Sequence, residues 1–173
     1  MHQLHLLRHA KSSWNDEADD RERPLNKRGR EATRLIADGL PQAIGGLDLV
    51  LCSSALRARE TAELALAGFA KPPRVLYEDG LYLAGQAKLM RRLRQLDEAV
   101  ESVLVIGHNP GLHELAVSLA TPGSAGFSTL ANGKFPTGVR VRFVIGTSWA
   151  EIDSTRHRLV DYVPVKVLGA DDC

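Results

Sequence analysis

Apolar runs and segments of helical periodicity alternate along this 173-residue chain, and this alternation constrains its fold more than any other feature. Runs of β-branched and aliphatic side chains predict strands at 4–7, 49–52, 103–107 and 139–145, a short one at 75–76 and a late one at 158–163. Apolar spacing predicts helices at 27–40, 55–67, 86–99 and 110–120. Such alternation predicts an α/β fold, with helices on both faces of one sheet.

The segment 121–138 interrupts this rhythm, because it is rich in Gly, Pro, Ser and Thr. We expect a long loop there and not a linker between domains, since the flanking pieces are too small to fold alone. The length also fits one domain better than two. The sequence therefore predicts a single domain over residues 1–173.

The composition limits the kinds of binding partner and the cellular compartment that can be expected for this protein. With 22 basic and 21 acidic side chains the net charge is +1, which gives no reason to expect a nucleic-acid or membrane partner. No apolar run approaches the roughly 20 residues that span a bilayer, and the start of the chain lacks the pattern of a signal peptide. The two cysteines show no paired spacing. We expect a cytoplasmic protein without disulfides.

Three polar clusters follow predicted strands. Arg8-His9 comes after the first, "SSALRARETA" (53–62) after the second and "GHNPG" (107–111) after a later one. In α/β sheets ligands bind beyond the carboxyl ends of the strands, so these clusters are expected to meet at one site. Taken singly, each has a simpler interpretation: a structural histidine, a solvated helix face paired with Glu60, and a turn. Their joint position weakens all three interpretations.

The residue types in these clusters favour chemistry on a phosphoryl group. The imidazole of His9 is a good nucleophile near neutral pH, since its ordinary pKa is about 6.5. The guanidinium groups of Arg8 and Arg57 match phosphate oxygens in pairs, and His108, if protonated, adds a further donor. Weaker candidate donors in the loop after the first strand are Ser12 and Asn15.

Other chemistries fit the sequence poorly. The six histidines show no zinc spacing, and the chain has no GxxxxGK[ST] phosphate loop. A cysteine-based phosphatase resembles C-x5-R at its active site, but the residue six positions after Cys52 is Ala58. Cys52 is therefore better interpreted as a small buried strand residue.

Taken together, the motifs resemble those of the histidine phosphatase superfamily, also called the phosphoglycerate mutase-like fold. The family motif R-H-G-x-S-x-W-N is similar to "RHAKSSWN" (8–15), with only the glycine replaced. "RPLNKRG" (23–29), "SSALRARETA" and "GHNPG" resemble its first-helix loop, second arginine motif and second histidine motif. "KFPTGVRVRF" and "WAEI" are similar to the late strands of the SixA-type phosphohistidine phosphatases.

The resemblance implies a three-layer α/β/α sandwich whose mainly parallel sheet carries one antiparallel strand. It implies that His9 is the nucleophile that becomes phosphorylated, and that Arg8, Arg57 and His108 complete the phosphate pocket. Ser12 and Asn15 are weaker candidates for phosphate contacts. No metal or other cofactor is implied.

Two departures from the family pattern leave questions open. Ala10 replaces the glycine after the nucleophile, which leaves slightly less room behind it. Many members carry an acidic residue after the third strand as general acid, and here Glu78 and Asp79 lie nearby without a matching pattern. The chain has no room for the cap of larger members, so an open pocket is expected.

The resulting hypothesis is a phosphatase that acts through a phospho-His9 intermediate and removes phosphate from phosphohistidine on a protein. The alternatives are a phosphatase of small phosphorylated metabolites and a non-catalytic phosphate-binding module.

Overall fold

The sheet at the centre of the molecule has six strands in the order β3-β2-β4-β1-β5-β6. The computed structural model describes residues 1–14, 17–154 and 157–169. The strands are β1 (His2–Arg8), β2 (Leu49–Ser53), β3 (Arg74–Glu78), β4 (Ser102–Gly107), β5 (Arg140–Ile145) and β6 (Arg158–Val163). Strands β3, β2, β4 and β1 are parallel, and β5 is antiparallel to both of its neighbours. The expected mainly parallel sheet with one antiparallel strand is therefore confirmed.

Helices cover both faces of this sheet, as the alternating pattern predicts. They are α1 (Lys27–Ile44), α2 (Leu56–Ala65), α3 (Gln86–Arg94), α4 (Gly111–Leu119) and α5 (Phe127–Asn132). Helices α1 and α2 pack over one core with alternate residues of β2 and β4, while α3, α4 and α5 cover the other face. The strands β1, β2 and β4 are almost wholly buried, as expected of central strands with covered faces. The α/β/α sandwich is confirmed.

The segment 121–138 differs from the prediction, because it contains the short helix α5. Leu130 of this helix is fully buried, and its carbonyl oxygen accepts a hydrogen bond from Nε2 of His113 in α4 at 2.8 Å. The glycines at each end, Gly126 and Gly133, suggested an unstructured loop but only bound the helix. Tertiary packing of one apolar side chain outweighs the local composition here.

Helix α1 begins where the loop after β1 supports it. The Asn26 side chain caps the helix by accepting a hydrogen bond from the Gly29 backbone N–H at 2.8 Å. A Cβ on Gly29 would lie 2.1 Å from the Lys11 carbonyl oxygen, so only glycine allows this close approach. The same carbonyl accepts from the Asn26 N–H at 3.0 Å. The "RPLNKRG" motif therefore holds the loop that follows His9.

The carboxyl ends of β1, β2 and β4 lie next to one another, since β1 and β2 both pair with β4 in parallel. This brings the three polar clusters to one edge of the sheet. In the part of the chain that the structure describes, no helix is long and apolar enough to cross a membrane.

Candidate active site

A cleft of about 380 Å³ lies at the carboxyl ends of the central strands. Its lining residues come from the segments that follow β1, β2, β3 and β4 and from the segment before β5. They are Arg8, His9, Lys11, Ser12, Trp14, Asp20, Arg23, Arg57, Leu83, His108, Asn109 and Thr137. The structure thus brings together Arg8, His9, Arg57 and His108, which the sequence places in three separate motifs. Their catalytic roles remain predictions.

His9 forms part of the buried floor of the cleft and is 6% exposed. Its Nδ1 lies 2.8 Å from the Ala10 carbonyl oxygen. Because a carbonyl oxygen only accepts, Nδ1 carries the proton, and Nε2 of the neutral ring keeps its lone pair. Burial, opposed by the Ala10 hydrogen bond and assisted by the nearby His108, Arg57 and Arg8, lowers the pKa of His9 to about 3. His9 is therefore an uncharged potential nucleophile at neutral pH.

Arg57 and His108 lie together on the same floor. Arg57 is 2% exposed, which excludes the simpler interpretation of a solvated helix face. Its Nη2 lies 3.5 Å from Nδ1 of His108, and Nε2 of His108 lies 2.7 Å from Oγ of Ser53. Since a guanidinium only donates, Nδ1 of His108 accepts and Nε2 donates to Ser53. Burial, followed by the charge of Arg57, lowers the pKa of His108 to about 4.

The two histidine rings face the same space. The ring centroids of His9 and His108 are 5.1 Å apart, with planes inclined at 56°. The His108 ring also meets the edge of Tyr82 at 5.5 Å. A negatively charged group between these rings would raise the pKa of His108, because an adjacent anion favours the protonated imidazole. An anion bound in this space would therefore favour the charged form of His108.

Arg8 holds its guanidinium group at the side of the cleft. Nη1 donates to the Phe135 carbonyl oxygen at 3.0 Å, while the described residues offer the buried Nε no acceptor. Gly138 N–H donates to the carbonyl oxygens of Arg8 and His9 at 3.0 and 3.1 Å, which fixes the backbone at the end of β1. Burial and the proximity of Arg57 lower the pKa of Arg8. An anion in the cleft would compensate this concentration of positive charge.

One buried hydroxyl connects the loop that follows His9 to helix α2. Oγ1 of Thr61 accepts from the Ala10 backbone N–H at 3.0 Å and donates to the Arg57 carbonyl oxygen at 2.7 Å. Thr61 is fully buried. The position of Arg57 relative to His9 is therefore set by a direct hydrogen-bonded link and not by side-chain packing alone.

Arg23 is a cleft residue to which sequence reasoning gave no role, although it opens the "RPLNKRG" motif. It is 7% exposed, and Nη1 donates to Oγ of Ser12 at 2.7 Å and to the Ser13 carbonyl oxygen at 3.0 Å. Ser12 does line the cleft, but its oxygen orients Arg23. The signal in the sequence that could have indicated this role was the position of Arg23 directly before Pro24 in the motif. Asn15, the other predicted donor, lies outside the described residues.

Asp20 is the carboxyl group among the described lining residues, and sequence reasoning did not anticipate it. Its side chain accepts from Nη2 of Arg57 at 3.1 Å, from Nε of Arg23 at 3.0 Å and from the Tyr82 hydroxyl. The Tyr82 hydrogen bond, with those from the two arginines, lowers the pKa of Asp20 to about 2. Asp20 is ionised at neutral pH and therefore holds the arginines without serving as a proton donor.

Glu78 and Asp79, the two candidates for a general acid, do not line the cleft. Glu78 accepts two hydrogen bonds from Arg92, both at 2.8 Å. Asp79 has a side chain 84% exposed and pairs with Arg21 at 2.6 Å. A hydrogen bond from Ser54 and the charge of Arg21 lower the pKa of Asp79. Neither carboxyl group is placed to protonate a group bound beside His9.

The mouth of the cleft is apolar at two points. Trp14 is 77% exposed, with the Arg23 guanidinium stacked 3.7 Å from its ring centroid. Leu83 is 54% exposed and has a backbone φ of +50°, a conformation that leucine rarely adopts. Large exposed side chains at the mouth of a cationic pocket suit a ligand with a planar or apolar part outside the anion.

Two alternative chemistries find no support in the geometry. Cys52 is fully buried in β2, and burial raises the pKa of its thiol, which makes it inert. Within residues 1–14, 17–154 and 157–169 there is no cluster of three or more His, Cys, Asp or Glu side chains suited to a metal ion. The cleft combines a neutral imidazole with several guanidinium groups, an arrangement that can transfer a phosphoryl group to nitrogen.

Comparisons with known proteins agree with this chemistry. Residues 4–81 match the histidine phosphatase superfamily (branch 1). An uncharacterised protein of Mycobacterium tuberculosis is 35% identical over 159 residues, which cover 90% of this chain and 98% of the relative. A candidate phosphohistidine phosphatase SixA from Agrobacterium tumefaciens is 27% identical, with a TM-score of 0.77 over 94% of this chain and 97% of that one.

A second solved structure, the protein histidine phosphatase SixA complexed with tungstate, is 25% identical to this chain. Its TM-score is 0.78, and the match covers 96% of this chain and 99% of that one. The family match includes the loop that carries His9 and the helix that carries Arg57, while the structural matches extend over nearly all of both chains. The chain therefore belongs to the histidine phosphatase superfamily, in its SixA-type branch.

Proposed function

We propose that this protein is a phosphatase that removes phosphate from phosphohistidine on a protein, through a phosphorylated His9. In the first step the lone pair of His9 Nε2 attacks phosphorus, the bond between phosphorus and the substrate nitrogen breaks, and its electron pair stays on that nitrogen. In the second step water attacks the phosphorus of phospho-His9, and the new phosphorus–nitrogen bond breaks with its electron pair returning to Nε2. Phosphate leaves with the protons of the water, and the two steps together restore the neutral imidazole of His9.

The cationic side chains would stabilise the phosphoryl group as it transfers. Charge spreads over its three equatorial oxygens, and guanidinium groups fixed beforehand bind that charge without reorganising. Arg8 and Arg57 would hold those oxygens, with Arg23 as a further donor and His108 protonated by the presence of the anion. The resemblance to a SixA phosphatase that binds tungstate, an oxyanion of similar shape, supports this arrangement.

One observation carries the preference for phosphohistidine: the described part of the cleft contains no carboxyl group that can donate a proton. Alkoxide leaving groups need a positioned acid, whose assistance is typically worth ~10²–10⁴ in rate. Phosphohistidine can take a proton on its ring beforehand and depart as neutral imidazole, whose conjugate acid has a pKa of about 6.5. Such a substrate suits a site whose carboxylate, Asp20, is held ionised.

The test is a series of substrates with graded leaving-group pKa, from phosphohistidine and activated aryl phosphates to sugar phosphates. We expect kcat/KM to fall steeply as the leaving group becomes more basic, provided that the first transfer limits this ratio. A flat series would favour a phosphatase of small metabolites. Binding of phosphate without turnover of any substrate would favour a non-catalytic phosphate-binding module.

We further propose that residues 1–173 act as one domain in the cytoplasm and without a cofactor. The guanidinium groups would supply the positive charge that a metal ion supplies in other phosphatases. Turnover should therefore continue in excess EDTA, and vanadate, which mimics five-coordinate phosphorus, should inhibit it. Strict dependence on magnesium or manganese would contradict this part of the proposal.

A further inference from the structure

A second cleft, which we name the basic groove, opens beside the candidate active site. Its volume is about 710 Å³, and its lining residues are Arg8, Thr129, Lys134, Pro136, Thr137, Tyr162, Pro164 and Lys166. Arg8 and Thr137 also line the catalytic cleft. A substrate whose phosphate is held at Arg8 can therefore extend into the basic groove without leaving the protein surface.

The basic groove has one sign of charge. Lys134, Lys166 and Arg8 line it, and none of its described lining residues is acidic. Both lysine side chains are exposed, so they can pair with an incoming carboxylate without a large desolvation cost. The net charge of the whole chain is only +1, so this local excess is a feature of the groove and not of the protein as a whole.

The walls of the basic groove are held in place by a hydrogen bond, two prolines and a buried side chain. The Tyr162 hydroxyl donates to the Lys134 carbonyl oxygen at 2.6 Å, which connects the segment after α5 to β6. Pro136 and Pro164 restrict the backbone on both sides. Val165 is buried beside Lys166 and packs against the core under α1. The two lysines therefore extend from anchored segments, at positions that a partner can recognise.

We propose that the basic groove binds acidic side chains next to the phosphohistidine of a protein substrate. The proposal rests on the proposed function and adds the kind of partner. The combined space of the two clefts exceeds what a small ligand fills, and opposite charges accelerate encounter and select the partner.

The experiment compares two phosphohistidine peptides that differ in having Glu or Gln at the positions flanking the phosphohistidine. The groove variant is Lys134→Glu combined with Lys166→Glu. The matched control is Lys71→Glu combined with Arg74→Glu, which makes the same change of charge at exposed positions by the amino end of β3. Phosphoramidate, which is too small to reach the groove, serves as the reference to which each peptide rate is normalised.

We expect the wild-type protein and the control to have a higher normalised kcat/KM for the Glu peptide than for the Gln peptide. In the groove variant the ratio of these two values should be about tenfold smaller. The preference should also shrink at high salt, because exposed charges are screened. Equal preferences in the groove variant and the control would overturn the proposal. A preference for the Gln peptide in the wild-type protein would do the same.

A binding measurement separates this proposal from the proposed function. Fluorescent forms of the two peptides, carrying phosphotyrosine in place of phosphohistidine, are titrated onto the His9→Ala protein with and without the two lysine substitutions. Lysine-dependent preference for the Glu peptide supports the groove even if phosphohistidine proves not to be a substrate. Efficient hydrolysis of both phosphohistidine peptides, with no preference in binding or turnover, would leave the proposed function standing and refute the groove.

Discussion

The carboxyl ends of the central strands and of the edge strand β3 all carry titratable side chains, yet the surroundings of these side chains differ. At the ends of β1 and β4, His9 and His108 are 6% and 3% exposed and lie among buried guanidinium groups. At the end of β3, Asp79 has a side chain 84% exposed, and Glu78 pairs with Arg92 away from the cleft. A central strand has a neighbour on each side, whereas β3 pairs with β2 alone.

This difference shows that the position of a strand in the sheet influences which of the polar side chains at its end share a site. Loops after central strands pack against the loops of both neighbours, so their side chains are forced together and lose water. The loop after the edge strand β3 borders solvent on one side, and its carboxylates find partners at the surface, while Tyr82 and Leu83 further along the same segment reach the cleft. Chemistry that needs a desolvated nucleophile belongs to the first environment.

Replacing His9 with Ala should give the largest effect. We expect kcat for p-nitrophenyl phosphate to fall by about 10⁴ or more, because the covalent route loses its nucleophile. Thermal unfolding of the variant controls for loss of structure. Near-wild-type turnover in His9→Ala would contradict the proposed role of His9 as the nucleophile.

Replacing Arg57 with Ala should lower kcat by ~10²–10³ and raise KM as well, because the guanidinium stabilises charge that grows in the transition state. Arg57→Lys is the matched control, since it keeps the charge but loses the paired donors. We expect this control to recover part of the affinity and less of the rate. A change in unfolding temperature without a change in kinetics would identify Arg57 as a purely structural residue.

The buried imidazole of His9 should also make the protein less stable in acid. Its pKa is about 3 in the folded protein and about 6.5 when unfolded, so between these values the unfolded chain binds a proton that the native state does not. Stability contributed by this group is therefore present above pH 6.5 and is lost as the pH falls below it.

Urea unfolding at pH 7 and pH 5 measures this contribution. The wild-type free energy of unfolding should decrease by about 2 kcal/mol more than that of His9→Ala between these two values, as expected from the one proton. Parallel decreases in both proteins would show that His9 is not held neutral by the fold.

At the edge strand, Asp79→Asn and Glu78→Gln should change kcat/KM by less than about twofold for every substrate, since neither carboxylate lines the cleft. Glu78→Gln should cost about 1 kcal/mol or less of stability, through its ion pair with Arg92. A large loss of activity toward sugar phosphates in either variant would place an acid at the edge strand and remove the contrast.

The sequence predicted much of this arrangement, because strand ends can be located from apolar runs. Arg8, His9, Arg57 and His108 follow such runs directly, so the rule that ligands bind beyond the carboxyl ends of strands brings them together. Asp20 and Arg23 lie in a loop without periodicity, and their position depends on contacts with Arg57 and Ser12 that no local pattern encodes.

The remaining differences also have physical causes. Helix α5 forms because the buried Leu130 contributes packing that a composition rich in Gly and Ser does not reveal. Whether Glu78 or Asp79 reached the cleft depended on the strand order, which places β3 at the edge. Periodicity finds strands but does not rank them within a sheet.

The Thr61 hydroxyl has a consequence for how this chain can vary or be redesigned. Because this hydroxyl accepts from the Ala10 amide, 51 positions away in the sequence, and donates to the Arg57 carbonyl, the two motifs depend on each other. Serine at position 61 preserves both hydrogen bonds, whereas valine, of nearly the same shape, leaves the Ala10 amide unpaired in the interior. A graft that transfers the "RHA" loop to another scaffold must therefore bring a hydroxyl from a distant helix with it.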